Sequence, residues 1–222
     1  MLDFIARFPV LHSIARKAVQ AGLLFSNSER YWIDRYRIGG NSGRGSTAKL
    51  ADFKADVVNR FVASRNVLSV IEFGCGDGQQ LLLARYPRYA GYDISSDVIA
   101  RCRDLFAADE SKSFGLMADY RGGRAELALS LDVIYHLVED DVYHGYMQTL
   151  FDASDRFVVI YSSNTDDAGL LDPHIRHRRF TDWVEQCRPE WKLVDLIRNP
   201  HPVRMLGLRG SFADFFIFER SK

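Results

Sequence analysis

Apolar and polar positions along the chain follow two periods that take turns. Leu50, Phe53, Val57, Val58, Phe61 and Val62 recur at helical spacing, which predicts a helix with one buried face, and Ser46 stands where its N-cap belongs. The run VLSVIEF (67–73) is continuously apolar and β-branched, as in a strand buried on both sides. QQLLLARY (79–86) reads as a helix and RYAGYDI (88–94) as a short strand. Ser95 or Ser96 then caps a helix carrying Val98, Ile99, Cys102 and Leu105. KSFGLMA (112–118) and ELALSL (126–131) are strand-like. EDDVYHGYMQTLF (139–151) predicts a helix with acids in its first turn, where the helix dipole favours them. RFVVIYS (156–162) is the most β-branched run; a helix near Thr181–Cys187 separates it from WKLVDLI (191–197) and SFADFFIFER (211–220), both strand-like.

Alternation of strand and helix predicts an α/β fold, a parallel sheet covered on both faces. The last two strands have no helical pattern between them, so they are expected to pair antiparallel at an edge. In such sheets ligands bind beyond the carboxyl ends of the strands, where the strand order reverses.

Composition narrows the functional classes. A chain of 222 residues with 47% apolar and 26% charged residues suits a single domain with a substantial core. Lys plus Arg equals Asp plus Glu at 29 each, so no overall charge draws the protein to nucleic acid or an anionic membrane. Cys75, Cys102 and Cys187 form neither a disulfide framework nor a zinc ligand set, which fits a reducing cytoplasm. The first 25 residues are apolar but interrupted by Asp3, Arg7, Arg16 and Lys17. They contain no unbroken secretory h-region of ~7–15 residues and no ~20-residue membrane span. An amphipathic helix broken near Pro9 is expected there, packed on its own domain or on a second subunit, which leaves a homodimer open; peripheral membrane contact is the alternative. Residues 1–45 thus read as a helical extension with a glycine-rich lid loop, RIGGNSGRGS (37–46), and residues 46–222 as the main domain.

The chemistry concentrates in VIEFGCGDGQQLLL (70–83), where Gly74, Gly76 and Gly78 follow a strand and Glu72 precedes them. Strand, glycine loop and helix make a nucleotide cradle, because the missing side chains let a ligand reach the backbone. A dinucleotide loop would place a glycine where Gln79 stands, and a phosphate loop would need Gly-Lys-Ser/Thr, which is absent. An acid ahead of the glycines would repel a pyrophosphate and pair with an ammonium group. That combination points to a ligand with an amino-acid part and no phosphate. Asp93, at a strand end in GYDIS, is placed to accept from ribose hydroxyls; Asp119, in MADY, is placed to accept from an adenine amino group. The alternatives are a strand-end surface acid for Glu72, a helix N-cap for Asp93 and a turn residue for Asp119.

Together with SLDVIYHL (130–137), these motifs resemble the class I S-adenosylmethionine-dependent methyltransferases from Ala48 to Arg220. The resemblance implies a Rossmann-like, seven-stranded, mostly parallel sheet in the order 3-2-1-4-5-7-6, with strand 7 antiparallel and helices on both faces. It implies S-adenosyl-L-methionine as cofactor, held by Glu72, Gly74, Cys75, Gly76, Asp93, Ile94, Asp119, Tyr120 and Leu131, with Arg35 from the lid segment YWIDRY. Four segments, YWIDRYRIGGNSGRGS, SLDVIYHLVED, VIYSSN and HIRHRRFTDWV, are similar to a small family of bacterial methyltransferases of polysaccharide pathways, which implies a sugar hydroxyl, on a mannoside or another sugar, as acceptor. Acceptor contacts are then expected from Tyr135, Asn164, His174, His177 and Arg178, with Trp183 near; a solvated basic turn is the alternative for HIRHRRF. His136, four residues after Asp132, is the expected base, with Asp132 as helper or alternative; the bland reading of His136 is a helix cap. Asp132 and the pair Asp166–Asp167 are candidates for a divalent metal such as magnesium. The rival functions are an RNA methyltransferase using RHRR, another small-molecule methyltransferase, and a non-catalytic cofactor-binding partner subunit; a neutral chain with one short basic run favours no nucleic-acid partner.

Overall fold

The computed structural model describes residues 25–43, 48–167, 172–202 and 210–221. The expected helix around Pro9 and the Ser46 cap lie outside these residues. Helix α1 (Ser28–Arg37) opens with Asn27, whose side chain accepts from Arg30 N at 2.7 Å. Helix α2 (Ala48–Ser64) leads to β1 (Val70–Phe73), followed by β2 (Tyr89–Asp93), α3 (Ser96–Leu105) and β3 (Lys112–Leu116). Then come β4 (Ala125–Leu131), α4 (Asp140–Asp152), β5 (Ser154–Ser162), α5 (Phe180–Cys187), β6 (Trp191–Ile197) and β7 (Asp214–Arg220). Among the described residues no helix is long and apolar enough to cross a membrane.

The seven strands form one sheet in the order β3-β2-β1-β4-β5-β7-β6. β7 runs antiparallel between β5 and β6, pairing Phe157 with Glu219 and Trp191 with Arg220; the other neighbours are parallel. This is the order and the antiparallel strand expected. Each face of the sheet is covered. α2 brings Val58 and Phe61 against Leu129, Phe157 and Phe215 on one side. α4 and α5 bring Met147, Phe151, Phe180 and Val184 against Phe73, Val158 and Phe216 on the other. Strands β1 and β4 are therefore buried on both faces, which is why their sequences are largely apolar without strict alternation. The chain leaves β1 in one direction to β2 and β3 and returns to β4 on the other side, so the gap for a ligand opens between the ends of β1 and β4.

One element differs. The helix expected over 79–86 is a single 3-10 turn, Leu81–Leu83, with Leu81 buried and Leu82 and Leu83 exposed. Gly78, at φ +77°, and Pro87 bracket the segment. The residue before a proline avoids helical dihedrals, and a stretch this short has little to gain from helix nucleation. At the expected edges, β1 begins at Val70 rather than 67, and β7 at Asp214 rather than 211.

The α4 face rests on Phe151, which is 2% exposed and meets Trp191 and Phe218 edge to face at 5.3 and 5.7 Å. Phe151→Ala should lower the unfolding free energy in urea by about 3–5 kcal/mol; a loss under about 1 kcal/mol would show that this face is not anchored there.

Candidate functional site

A cavity of about 330 Å³ opens at the carboxyl ends of β1, β2 and β4. Its floor is the glycine loop. Gly74 and Gly76 have φ of +80° and +60°, where a side chain is strained. A Cβ on Gly74 would lie 2.5 Å from Val133 Cγ2, and one on Gly76 would lie 2.4 Å from Ser42 Oγ. The glycines thus let two neighbouring segments close on the loop, and the cavity keeps its backbone wall. Ser42 ties the turn after α1 to this loop: its amide donates to Asp77 Oδ2 at 3.1 Å, its Oγ accepts from Asp77 N at 3.0 Å, and it shares a 3.1 Å hydrogen bond with Tyr36 OH. Trp32 and Tyr36 of α1 form the facing wall.

Two acids were expected here and both are present. Asp93 ends β2 and is buried; its carboxylate accepts from Gly76 N and Ser95 N, each at 3.0 Å. The cap of α3 is Ser95, whose Oγ accepts from Val98 N at 3.4 Å. Glu72 is buried and accepts from Tyr89 OH at 2.6 Å. It is not the strand-end surface acid of the alternative reading. Cys75, Ile94 and Leu131 also line the cavity. The Cys75 thiol is held in its neutral form by the adjacent Cys102 thiol and by burial.

The acceptor side contains Asp132 and His136, both lining the cavity. They do not share a helix: a 3-10 turn, Ile134–His136, follows Asp132, which has a left-handed φ of +61°, a conformation aspartate tolerates better than most residues. Asp132 Oδ1 accepts from Tyr135 OH at 2.8 Å and Oδ2 from Lys54 Nζ at 2.6 Å. Lys54 is a residue that reading by motif missed. Its signal was present, since it sits among Leu50, Phe53, Val57, Val58 and Phe61 on the apolar face of α2. His136 Nδ1 lies 3.0 Å from His174 O. A carbonyl only accepts, so Nδ1 carries the proton and Nε2 has a lone pair; Nε2 has no hydrogen-bond partner among the described residues. Burial pushes the imidazole pKa down to about 3. The expectation of a base that titrates near neutrality is corrected: in this site the ring stays neutral and binds a proton weakly.

Other expected residues lie elsewhere. Asp119 is exposed and does not line the cavity, where Met117 does. Tyr120 donates to Gly123 O at 2.6 Å and packs edge-on against Phe73. Arg35 points away, donating to Asn41 O at 2.8 Å and Tyr31 OH at 3.1 Å. Tyr135 is buried with its hydroxyl on Asp132, behind the cavity wall. His174 stacks on Tyr31 with ring centres 4.3 Å apart. Asn164 is bonded to Thr181 at the start of α5. Arg178 donates to Leu137 O at 2.6 Å and Val138 O at 3.0 Å, and lies over the Tyr143 ring. His177, bonded to Ser163 Oγ at 2.6 Å, and Arg178 line a second, polar cleft of about 730 Å³ between α4 and α5, together with Trp183 and His144. Leu137–Asp141 is the wall between cleft and cavity: Leu137 and Asp141 face the cavity, Asp140 the cleft. The metal expectation does not fit. The charge of Asp132 is already matched by the Lys54 ammonium, Asp166 accepts from Arg179 N at 2.9 Å, and no group of three or more His, Cys, Asp or Glu among the described residues is arranged to hold a metal ion.

A family model described as a methyltransferase domain matches residues 47–201. The chain belongs to the methyltransferase domain family. No curated protein sequence matches it. Among solved structures, it is similar to a magnesium protoporphyrin IX methyltransferase from Synechocystis PCC 6803 with bound SAM, at 15% identity and TM-score 0.62, covering 89% of this chain and 99% of that one. It is similar to the methyltransferase domain of bacterial CtHen1-C, at 19% identity and TM-score 0.61, covering 77% and 98%. A third likeness is to an S-adenosylmethionine-dependent methyltransferase from Clostridium acetobutylicum ATCC 824, at 8% identity and TM-score 0.59, covering 81% and 94%. At such identities the likeness establishes the fold alone.

The methyltransferase cavity therefore carries two acids that water barely reaches. Burial raises Glu72 from 4.5 to about 7, against the Tyr89 hydrogen bond and the nearby Lys54 charge, which pull it down. Burial raises Asp93 from 3.8 to about 6, against the hydrogen bonds from the Ser95 and Gly76 amides. Between pH 4.5 and 7 the folded chain keeps a proton on Glu72 that the unfolded chain has released, so the contribution of Glu72 to stability falls as pH rises through that window and levels off above it. Glu72 should account for roughly 3 kcal/mol of that fall. Urea unfolding of wild type and Glu72→Gln from pH 4 to 8 checks this: the stability of the variant relative to wild type should rise by about 3 kcal/mol across the window, the contributions of Asp93 and His136 being common to both, and a constant difference would show that Glu72 ionises freely in the folded state.

Proposed function

We propose that the chain is an S-adenosylmethionine-dependent O-methyltransferase that methylates a hydroxyl of a small carbohydrate. The observation that carries the donor assignment is the cavity at the sheet's switch point, in which the left-handed backbone of Gly74 and Gly76 lies between the buried acids Glu72 and Asp93. Such a cradle suits a nucleoside joined to an amino acid and has no cluster of bases for phosphates. Asp93 would hold the ribose hydroxyls, and Glu72 would face the amino end. Met117, Ile94 and Leu131 offer apolar walls to a purine. When bound, the donor supplies an electrophilic methyl on a sulfonium whose leaving group is a neutral thioether.

The chain's part is to orient the acceptor oxygen and remove its proton. Neutral His136, with Nδ1–H fixed on His174 O, accepts a hydrogen bond from the acceptor hydroxyl through Nε2 and sets its direction. Asp132, fixed by Lys54 and Tyr135, is the carboxylate that receives the proton as the new O–C bond forms. The carbohydrate reading is supported by the cleft beyond Leu137–Asp141, where Trp183 and His144 stand among polar side chains. Three arginines there, Arg176, Arg178 and Arg179, face four aspartates, Asp140, Asp166, Asp172 and Asp182, and ion pairs link Arg176 and Arg178 to Asp140 and Arg179 to Asp166. A surface so neutralised suits a polyhydroxyl ligand better than the phosphates of RNA.

Asp93→Ala should weaken S-adenosylhomocysteine binding at least about tenfold, since a pair of charge-assisted hydrogen bonds is lost; unchanged affinity would remove Asp93 from the ribose. A panel of mannosides and other glycosides with labelled donor should show methyl transfer, and methylation of tRNA with no glycoside modified would overturn the acceptor class. His136→Ala should lower kcat by about 10- to 100-fold with S-adenosylhomocysteine affinity within about threefold. The wild-type kcat profile should show no limb near pH 6.5 that the variant lacks; such a limb would restore His136 as the base.

A further inference from the structure

With Glu72, Asp93, Asp132 and His136 assigned, the cavity still contains one charged group without a role toward a ligand. Lys54 comes from the middle of α2, is 1% exposed, and is the sole Lys or Arg among the described residues that line the cavity. Its ammonium has three N–H donors. One goes to Asp132 Oδ2 at 2.6 Å, and no second hydrogen-bond acceptor meets it among the described residues. The Tyr161 ring lies 5.6 Å from Nζ. An ammonium taken out of water with donors left unmet is expensive to bury. An ion pair whose whole purpose was to fasten α2 to the sheet would be expected to close on itself, with every donor satisfied by protein. This one faces a void that also contains Glu72.

Cation and acid at one end of a cavity match the two charges of an amino-acid zwitterion. Arg35, expected from the sequence to help hold the cofactor, is committed to Asn41 and Tyr31 outside the cavity. We propose that Lys54 receives a ligand carboxylate, and that this is the carboxylate of the methyl donor's amino-acid end. The assignment rests on the donor reading above. Asp132 keeps one N–H of the ammonium, and the ligand carboxylate takes the others, so one lysine joins the acceptor-side acid to the donor. An acceptor carrying its own carboxylate is the other source of the same chemistry.

Calorimetric titration with S-adenosylhomocysteine and its decarboxylated analogue, which keeps the amine, sulfur and nucleoside, separates these. Wild type should bind the carboxylate-bearing form tighter by about 10- to 100-fold. Lys54→Met combined with Asp132→Asn, which removes both charges so that neither is left buried alone, should shrink that ratio below about threefold. Lys54→Gln is the second variant, read in the same way if the double variant does not fold. A wild-type ratio near one, or a ratio preserved in the folded variants, overturns the assignment. So does a variant whose donor ratio is intact while its preference for acidic over neutral acceptors is lost, since that places the acceptor's carboxylate on Lys54. Failure of wild type to bind either nucleoside overturns the donor reading itself, and Lys54's assignment with it.

Discussion

An ammonium taken out of water must be met by a fixed carboxylate, and at the carboxyl edge of this sheet Lys54 and Asp132 meet at 2.6 Å. Three structures converge on that contact. α2 is pinned over one face of the sheet, the turn after β4 is held with Asp132 in its left-handed conformation, and Tyr135 is drawn inward to share the carboxylate. Each of these sets a wall of the cavity or the ring beside it. Removing one partner would leave the other charged and buried, a change that typically costs several kcal/mol. The pair is thus a poor way to gain stability and a good way to fix geometry.

The wall opposite is held by weaker means. α1 reaches the segment after β4 through Trp32 on His136 at 4.8 Å and Ser28, whose amide donates to Glu139 Oε1 at 3.0 Å, and the segment after β5 through Tyr31 on His174. Its far end is fastened by Ser42 to Asp77. These are aromatic contacts and neutral or singly charged hydrogen bonds around a cavity whose opposite side is a fixed ion pair, so the site has one rigid side and one side with more modest hold.

How much of this was legible in the sequence follows from what each feature depends on. The strands β1, β4, β5 and β7 announce themselves because burial on both faces demands unbroken apolar runs, and the glycine loop because positive φ at Gly74 and Gly76 excludes side chains. The 79–86 segment misled because QQLLLARY has helical residue types, whereas Gly78 and Pro87 on either side decide its backbone. Glu72, Asp93, Asp132 and His136 could be placed near one another by their positions at strand ends. What could not be read was burial. The His136 pKa, the choice of Lys54 as the partner of Asp132, and the diversion of His177 and Arg178 into a separate cleft all depend on which atoms approach from segments far along the chain. Lys54 is the instructive case: a lysine at the centre of an apolar helix face is an anomaly visible in the sequence, but its meaning requires knowing what stands across from it.

Glu72 and Asp93 give the cavity a variable charge. With their carboxyls raised to about 7 and about 6, the empty site exchanges protons with the solvent in the range where cells operate. A cationic group that settles beside them does what the proton does there, and favours the ionised form. Occupancy and proton loss are then two readings of one equilibrium, so by reciprocity whatever drives the protons off also tightens the hold on the cation. The heat of association will include the ionisation heat of the surrounding buffer, and the site's affinity will follow the acidity of its compartment.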